Sequence, residues 1–377
     1  MSGETHPVDP VNPVKKEIIL MINNNLRLVF WELTARCNLK CQHCRAEAQD
    51  DFVEGELSTE EIIKTAREIR EDADPILILT GGEPLTRKDF FTIAEECTKL
   101  FTRVAIATNG TLVDDPIAEK IVKTGIQRAS ISLDGAKRKT HDAFRGLPGS
   151  YNDALNGFDA LKKAGVSVQI NATITKHNLN ELEDLLNLAQ DRGADAFHVF
   201  MLVPVGCGVK ISEDVRLTSE EFEKSLRWLF DKSLELKDKI HIKATCAPQY
   251  YRIMRQISKE KGIQLQSHAH GMRAMTRGCL AGSAVCFISR TGDVQPCGYL
   301  PVCVGNIRER KLGEIWQDSE VFAALRDPAR LKGKCGACEY KRVCEGCRAR
   351  AFAKTGDYLD EEPDCSYKPN INTEKSK

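Results

Sequence analysis

Fifteen cysteines in a chain of 377 residues constrain this protein more than any other feature of its sequence. Three lie close together near the N-terminus, nine crowd into residues 279–365, and three are scattered between these groups. An odd number of cysteines without an export signal argues against a disulfide scaffold. In a reducing compartment, clustered cysteines more often bind a metal ion or an iron–sulfur cluster. Three classes of protein fit: a metal enzyme, an electron carrier, and an interaction module held together by zinc.

Charge and hydropathy exclude other classes. Lys+Arg and Asp+Glu each number 54, so the formal net charge is zero. A general binder of nucleic acid or of an anionic membrane would carry a basic excess, so we expect neither partner. The apolar runs at residues 75–79 and 199–203 are too short to cross a bilayer. Residues 1–16 lack the apolar core of a signal peptide, and we therefore expect a cytoplasmic protein.

Residues 26–204 alternate strand-like and helix-like segments. The strand candidates are β-branched or aliphatic runs that end near Gly, Asn or Asp, as buried parallel strands do. They cover residues 26–34, 76–80, 103–108, 128–133, 166–174 and 196–203. Amphipathic helices separate them, and Ser58 with Glu61 predicts the capping box of one helix. This α/β pattern predicts a parallel sheet curled into a partial (β/α)6 barrel, with function at the carboxyl ends of the strands.

The composition divides the chain into five segments. Residues 218–237 have a strong helical period, and the region after residue 279 is made of short strands, turns and cysteines. Within that region, residues 285–288 and 294–296 predict a hairpin. The segments are an N-terminal extension (1–25), the barrel (26–204), a helical connector (205–278), a cysteine-rich domain (279–365) and a polar tail (366–377).

The first cysteine group directly follows the first predicted strand. Cys37, Cys41 and Cys44 form a C-x3-C-x2-C pattern. Three thiolates on one tight loop can bind three irons of a cubane cluster and leave the fourth iron without a protein ligand. Such an open position would bind substrate, as it does in catalytic zinc sites. The alternative is a zinc site with a distant fourth ligand, although zinc loops favour C-x2-C spacing.

This loop, placed at the start of six βα units, resembles the radical SAM superfamily. The resemblance covers residues 26–204 and implies that Cys37, Cys41 and Cys44 hold a catalytic [4Fe–4S] cluster. Its open iron would bind the amino and carboxylate groups of S-adenosylmethionine (SAM). An electron from the cluster would then break the C5′–S bond and form a 5′-deoxyadenosyl radical. His43 stands where most members have an aromatic residue.

Further matches to the superfamily lie where the predicted strands end. Gly81-Gly82-Glu83-Pro84 resembles the GGEP motif, whose backbone and glutamate hold the SAM amino group. The segment from Ser132 to Gly135 resembles the ribose and carboxylate contacts. The SAM-binding residues that the resemblance implies are Gly81, Gly82, Glu83, Pro84, Asn109, Ser132, Asp134 and Asn171. Simple turn roles are the alternative for the glycine pair and for Asn109, Ser132 and Asp134.

The second cysteine group resembles the SPASM extension of radical SAM enzymes, which carries auxiliary [4Fe–4S] clusters. Its pattern is C-x2-C-x5-C-x2-C, where many members have three residues in the last gap; this departure leaves the role of Cys347 open. The resemblance implies one cluster on Cys335, Cys338, Cys344 and Cys365, and a second on Cys279, Cys286, Cys297 and Cys347. Cys303 is a spare thiol that could be an alternative ligand, and a zinc ribbon is the alternative for the first set. The remaining thiols, Cys97, Cys207 and Cys246, are interpreted as ordinary buried residues.

Other segments resemble the heme synthases of the siroheme-dependent pathway; they cover residues 31–48, 245–250, 278–282, 296–301, 346–351 and 356–359. The resemblance implies oxidative decarboxylation of two propionates of iron-coproporphyrin III to vinyl groups, giving heme b. No side-chain base could remove an unactivated β-hydrogen, so the cofactor must do so. An auxiliary cluster would accept the electron that leaves with CO2. The expected partners are this small-molecule tetrapyrrole and an external electron donor such as ferredoxin or flavodoxin.

Candidate substrate contacts can be chosen from the sequence by residue type alone. A flat, anionic tetrapyrrole needs aromatic rings and cations, which could be Tyr250, Tyr251, Arg252, Arg273, Arg277 and Tyr299. An axial ligand for its iron could be His6, His198, His268 or His270. The rival functions are a peptide-modifying SPASM maturase, a heme d1 or siroheme-decarboxylation enzyme, and an electron carrier. Many maturases carry an N-terminal peptide-binding domain, for which residues 1–25 are too short, and a carrier has no use for the GGEP motif.

Overall fold

Ten strands form one sheet in the computed structural model, which describes residues 26–211, 213–264 and 278–370. The strands are β1 (Leu28–Glu32), β2 (Ile76–Thr80), β3 (Val104–Thr108), β4 (Arg128–Ser132), β5 (Ser167–Ile174), β6 (Ala196–Met201), β7 (His241–Thr245), β8 (Val285–Ile288), β9 (Asp293–Gln295) and β10 (Gly305–Asn306). Their order across the sheet is β10-β9-β8-β1-β2-β3-β4-β5-β6-β7. Neighbours from β8 to β7 are parallel, and β9 and β10 add an antiparallel edge.

Helices connect the parallel strands, and four more follow the last strand. They are α1 (Thr59–Asp72), α2 (Phe90–Leu100), α3 (Asp115–Lys123), α4 (Arg138–Arg145), α5 (Ser150–Lys163), α6 (Leu182–Asp191), α7 (Ser219–Glu235), α8 (Gln249–Lys261), α9 (Leu312–Asp318), α10 (Glu320–Arg326), α11 (Gly333–Ala337) and α12 (Arg348–Thr355). The predicted capping box at the start of α1 is present: the Ser58 hydroxyl accepts from the Glu61 amide at 3.2 Å, and the Glu61 carboxylate accepts from the Ser58 amide at 2.8 Å. These two bonds satisfy amides that the helix itself leaves unpaired.

The sheet curls around an internal cavity. Phe287 on β8 and Lys243 on β7 lie near opposite edges of the parallel region, yet both line this cavity. A flat sheet could not bring these two strands together, so it forms a partial barrel. The predicted α/β fold, with a barrel and a cysteine-rich C-terminal region, is confirmed.

Two strands extend the parallel sheet beyond the six that the sequence predicts. β7 lies within residues 205–278, the stretch expected to be a helical connector, and it pairs with β6. β8 is the first strand of the predicted hairpin and does pair with β9, but it also pairs in parallel with β1. The cysteine-rich region therefore shares a sheet with the barrel, which holds the two parts in a fixed relation.

The C-terminal segment packs against the rest of the chain as far as it is described. The Tyr367 hydroxyl lies 2.5 Å from a Glu339 carboxylate oxygen, and the Arg252 guanidinium lies 4.7 Å from the centre of the Tyr367 ring. Residues 366–370 of the expected polar tail thus contact both α8 and the cysteine-rich region. Within the described ranges, no helix is long and apolar enough to cross a membrane.

Candidate active site and cluster sites

The loop after β1 brings the first three cysteines to one cavity at the carboxyl edge of the sheet. Cys37, Cys41 and Cys44 line a space of about 860 Å³ that is open to solvent. Gly82 packs beneath this loop, where its amide donates to the Thr34 carbonyl at 2.7 Å. A side chain at Gly82 would place its Cβ 2.3 Å from the Arg36 carbonyl oxygen. Only glycine therefore fits at this position of the Gly-Gly-Glu-Pro motif.

A buried ion pair packs against the cysteine loop. The Asp134 carboxylate lies 2.6 Å from Arg145 Nη2 and 3.3 Å from His43 Nε2. Arg145 also places Nη1 3.7 Å from the Cys41 sulfur. Burial would raise the pKa of Asp134, but the charge of Arg145 and the hydrogen bond from the Thr173 amide help to outweigh it and hold that pKa below its usual value. The cation offsets part of the negative charge that thiolates would carry here.

His43 is a neutral part of this network. Burial lowers its pKa to about 4, although the Asp134 carboxylate opposes the shift. Its ring stacks on Phe144 with centroids 4.2 Å apart and planes at 12°. The histidine thus packs as an aromatic ring does and also lies beside a carboxylate, which fits its place before the last cysteine of the loop.

Glu83 lies under the site instead of facing the cavity. It is fully buried, and its carboxylate accepts from Thr108 Oγ1 and from the Asn109 amide, each at 2.8 Å. Burial raises the pKa of Glu83 to about 7, while these hydrogen bonds oppose the rise. Asn109 itself lines the cavity, with Nδ2 3.9 Å from the Cys37 sulfur. Glu83 therefore holds the Asn109 backbone in place beside the cysteine loop.

The other predicted SAM-binding residues divide into two groups. Gly81, Ser132 and Asn171 line the same cavity as the three cysteines, together with Thr173. Pro84 is buried at the start of a short 3-10 helix, and Asp134 is fully buried in the ion pair. The first group can touch a ligand in the cavity, whereas the second supports its walls.

Four cysteines of the C-terminal region gather around a second cavity. Cys335, Cys338, Cys344 and Cys365 all line a space of about 380 Å³ beside α8. The Cys335 sulfur accepts from the Glu362 amide at 3.3 Å, and the Lys334 ammonium donates to the Cys365 carbonyl at 2.8 Å. These are the four residues assigned to the first auxiliary cluster by sequence.

A third space, the barrel cavity, has a volume of about 1300 Å³ and a mainly apolar lining. Three of the cysteines assigned to the second auxiliary cluster, Cys279, Cys297 and Cys347, line it. The fourth, Cys286, does not: it is fully buried on the outer face of β8, within the hydrophobic core. The barrel cavity continues into the cavity of Cys37, Cys41 and Cys44, and the residues lining both are Arg45, Thr80, Ala107, Asn171, Phe200 and Tyr299.

The predicted substrate contacts are scattered. Tyr251 and Tyr299 line the barrel cavity. Tyr250 is buried against α7, where its hydroxyl lies 3.3 Å from Ser233 Oγ. Arg252 lies 2.5 Å from Glu223 and lines the other cysteine cavity, so it is not in the barrel. His198 is in the barrel sheet, where its Nδ1 lies 2.9 Å from Gln169 Nε2. The remaining candidates lie outside the described residues; they are Arg273, Arg277, His6, His268 and His270.

Two important residues were missed by sequence reasoning. Arg145 lies on α4, whose 8 residues are too few to show a clear helical period of apolar residues. Gly146, which follows it with a φ of 73°, was the only local signal of a helix end. Lys243 lies on β7 and faces the barrel cavity. A lysine within an alternating strand ordinarily indicates a solvent-exposed face, so its inward position depends on the curl of the sheet.

The positions of the cysteines can be compared with those that a zinc site requires. A zinc ion would draw its thiolates to about 2.3 Å from one centre. Among the residues that the structure describes, no three Cys, His, Asp or Glu side chains converge closely enough to hold a single ion. In a cubane cluster each thiolate binds a different iron, so the ligands surround a larger centre than a single ion.

Comparison with known proteins decides the family. Residues 31–189 match the radical SAM superfamily, and residues 279–348 match an iron–sulfur cluster-binding domain, SPASM. An AdoMet-dependent heme synthase of Methanosarcina barkeri (strain Fusaro / DSM 804) is 51% identical over 351 residues, which cover 93% of this chain and 99% of that protein. The chain belongs to the AdoMet-dependent heme synthase family of radical SAM enzymes. A second family member, from Oleidesulfovibrio alaskensis, is 47% identical and covers 91% of this chain and 88% of its own.

A solved structure supports the fold of this heme synthase family member. Streptococcus suis SuiB bound to precursor peptide SuiA superposes with a TM-score of 0.74 and covers 97% of this chain and 84% of that one. The two sequences are only 18% identical, so the likeness concerns the fold alone. The family match confirms the predicted radical SAM enzyme class, with a [4Fe–4S] cluster that binds SAM and with auxiliary iron–sulfur clusters.

Proposed function

We propose that this chain converts two propionate side chains of iron-coproporphyrin III to vinyl groups and so forms heme b. The observation that carries the proposal is the continuity of the two cavities. A molecule in the barrel cavity can reach both the site of Cys37, Cys41 and Cys44 on one side and the cavity-lining cysteines of the C-terminal region on the other. Hydrogen abstraction and electron removal need such access to two centres.

The three cysteines after β1 would hold the SAM-binding cluster, and the residues around them fit that task. When bound, the clusters and SAM supply hydrogen abstraction at the propionate β-carbon and take up the electron released with CO2. The chain positions the partners: Gly82 allows the loop to approach β2, Arg145 balances thiolate charge, and Glu83 fixes the backbone of Asn109. Ser132 and Asn171 offer polar groups to the ligand.

The barrel cavity suits a flat, anionic ligand with a large apolar surface. Phe30, Phe200, Tyr251, Phe287 and Tyr299 supply aromatic walls. Lys243 faces this space, and no described residue forms an ion pair with its ammonium group. Burial lowers the pKa of Lys243. A carboxylate of the substrate would restore its charge and its hydrogen bonds, so Lys243 is proposed to bind a propionate.

We also propose where the protein operates and what reduces it. All fifteen cysteines are free thiols, which persist in a reducing compartment, and this favours the cytoplasm. Reduction of the SAM-binding cluster needs a low-potential one-electron donor, and ferredoxin or flavodoxin is the proposed partner class.

A binding experiment tests the substrate assignment without turnover. The reconstituted protein is titrated anaerobically with iron-coproporphyrin III and, as a control, with its tetramethyl ester, while the Soret band is recorded. The acid should bind and the ester should bind far more weakly, because the ester cannot pair with Lys243. Equal binding of both, or no spectral change with either, would contradict the proposal.

A further inference from the structure

The sequence assigns Cys286 as the fourth ligand of the second auxiliary cluster, and the position of this cysteine excludes it from that role. Successive side chains on a strand point to opposite faces. Val285 and Phe287 on β8 line the barrel cavity, so Cys286 between them faces the helices on the outside. It lies beside Val29 of β1 in the sheet and is 0% exposed. Burial alone accounts for its raised pKa, with no contribution from another thiol.

Cys246, unlike Cys286, faces the barrel cavity. It follows the last residue of β7 and lines the barrel cavity together with Cys279, Cys297 and Cys347. Cys347 belongs to a small apolar cluster against which Cys246 and Cys297 also pack. Four thiols from three separate parts of the chain therefore line the same cavity.

The backbone of Cys246 is held in an unusual conformation. Its φ is 54°, in the left-handed region that residues other than glycine rarely adopt. Arg350 Nη1 donates to the Cys246 carbonyl at 2.7 Å. Glu362 pairs with Arg350 at 2.9 Å, and its other oxygen accepts from the Cys347 amide at 2.6 Å. One buried ion pair thus fixes Cys246 and Cys347 relative to each other, and strain of this kind is kept where a site requires it.

We propose that Cys246, Cys279, Cys297 and Cys347 ligate the second auxiliary cluster, and that Cys286 is a structural core residue. Cys246 comes from the barrel, whereas the other three come from the cysteine-rich region, so the cluster links the two parts. Four cysteine ligands leave no open iron. This cluster would therefore exchange electrons and would not bind the substrate directly. The inference rests on the family's auxiliary clusters, not on the identity of the tetrapyrrole.

The test compares Cys246→Ala with Cys286→Ala in a protein whose Cys37, Cys41 and Cys44 are already alanine. That background removes the SAM-binding cluster, so any iron belongs to the auxiliary sites. Iron and sulfide per chain, Mössbauer spectra and electron paramagnetic resonance are measured after anaerobic reconstitution. We expect Cys246→Ala to lose about four irons or to show a three-iron cluster in place of one four-iron cluster. Cys286→Ala should keep both clusters unchanged.

A second variant separates ligation from folding. Cys246→Ser keeps the size of the side chain and offers oxygen in place of sulfur, so it should shift the reduction potential of one cluster and leave the other unchanged. Each of three results would overturn the assignment. These are two unchanged reduction potentials in Cys246→Ser, a full set of clusters in Cys246→Ala, and loss of a cluster from Cys286→Ala. None of these measurements uses a tetrapyrrole. The ligand assignment can therefore be tested even if the heme proposal fails, and the heme proposal can be tested even if the ligand assignment fails.

Discussion

Arg350 and Glu362 form an ion pair that is almost wholly shielded from solvent, with Nε and Oε1 2.9 Å apart. Each partner also holds the backbone of a cysteine, since Arg350 donates to the Cys246 carbonyl and Glu362 accepts from the Cys347 amide. The pair lies between the barrel and the cysteine-rich region. It therefore couples the stability of the fold to the geometry of a cluster site.

Removing the charge of Glu362 tests this coupling. In Glu362→Gln the Arg350 cation stays buried, and loss of one partner of a buried pair costs about 3–5 kcal/mol. We expect the lower end of that range, because Asp364 lies 3.4 Å from Arg350 and replaces part of the attraction. Denaturant unfolding measures the change. The control is Asp115→Asn, which breaks the exposed pair with Lys163 and should change stability by about 1 kcal/mol at most.

The three cysteines after β1 should carry the SAM chemistry alone. Replacing Cys37, Cys41 and Cys44 with alanine should remove about four irons per chain and abolish 5′-deoxyadenosine formation. Cys97→Ala is the matched control, since Cys97 is a buried thiol on α2 that packs in the core. SAM cleavage that continues in the triple variant would refute the assignment of these ligands.

Glu83 should act on SAM binding through Asn109. In Glu83→Gln, the amide nitrogen replaces one acceptor, so either the Asn109 amide or the Thr108 hydroxyl loses its partner. An unsatisfied buried group costs about 1–3 kcal/mol. We expect lower stability and weaker SAM affinity, with the cysteine ligands and the iron content retained. Calorimetric titration with SAM measures this, and affinity equal to that of the exposed control Glu119→Gln would show that Glu83 has no such role.

Lys243 should determine affinity for the anionic substrate. Losing a hydrogen bond to a charged group costs about 1.5–3 kcal/mol, so Lys243→Gln should raise KM for iron-coproporphyrin III by about 10- to 100-fold. SAM affinity should not change. Because burial lowers the pKa of Lys243, binding should weaken as pH rises through that pKa, and the variant should lose this pH dependence. Lys64→Gln, at an exposed position on α1, is the control and should match the parent protein.

The sequence predicted those parts of the fold that depend on local patterns. Residues 58–61 contain the whole capping-box signal, and the strand that ends before Gly81 has a continuous aliphatic run, so both appear as expected. The pairing of β8 with β1 joins segments more than half the chain apart, and no local pattern encodes it. That pairing is what turns Cys286 outward. The same non-local geometry brings Cys246 to the other cysteines, so its role could not be read from spacing.

The auxiliary cluster on Cys335, Cys338, Cys344 and Cys365 should act after hydrogen abstraction. We expect Cys344→Ala to form 5′-deoxyadenosine in the presence of substrate but to yield little vinyl product, because the electron released with CO2 can no longer pass on to this cluster. Chromatography of both products measures the split. Heme formation at the normal rate in this variant would show that the electron leaves by another route.

The most direct test is one anaerobic reaction of the reduced parent protein with SAM and iron-coproporphyrin III, followed by mass analysis of the tetrapyrrole. Our account predicts that two side chains each lose carbon dioxide and two hydrogens, giving heme b, with 5′-deoxyadenosine formed alongside. Unchanged iron-coproporphyrin III, together with modification of a peptide offered under the same conditions, would contradict it.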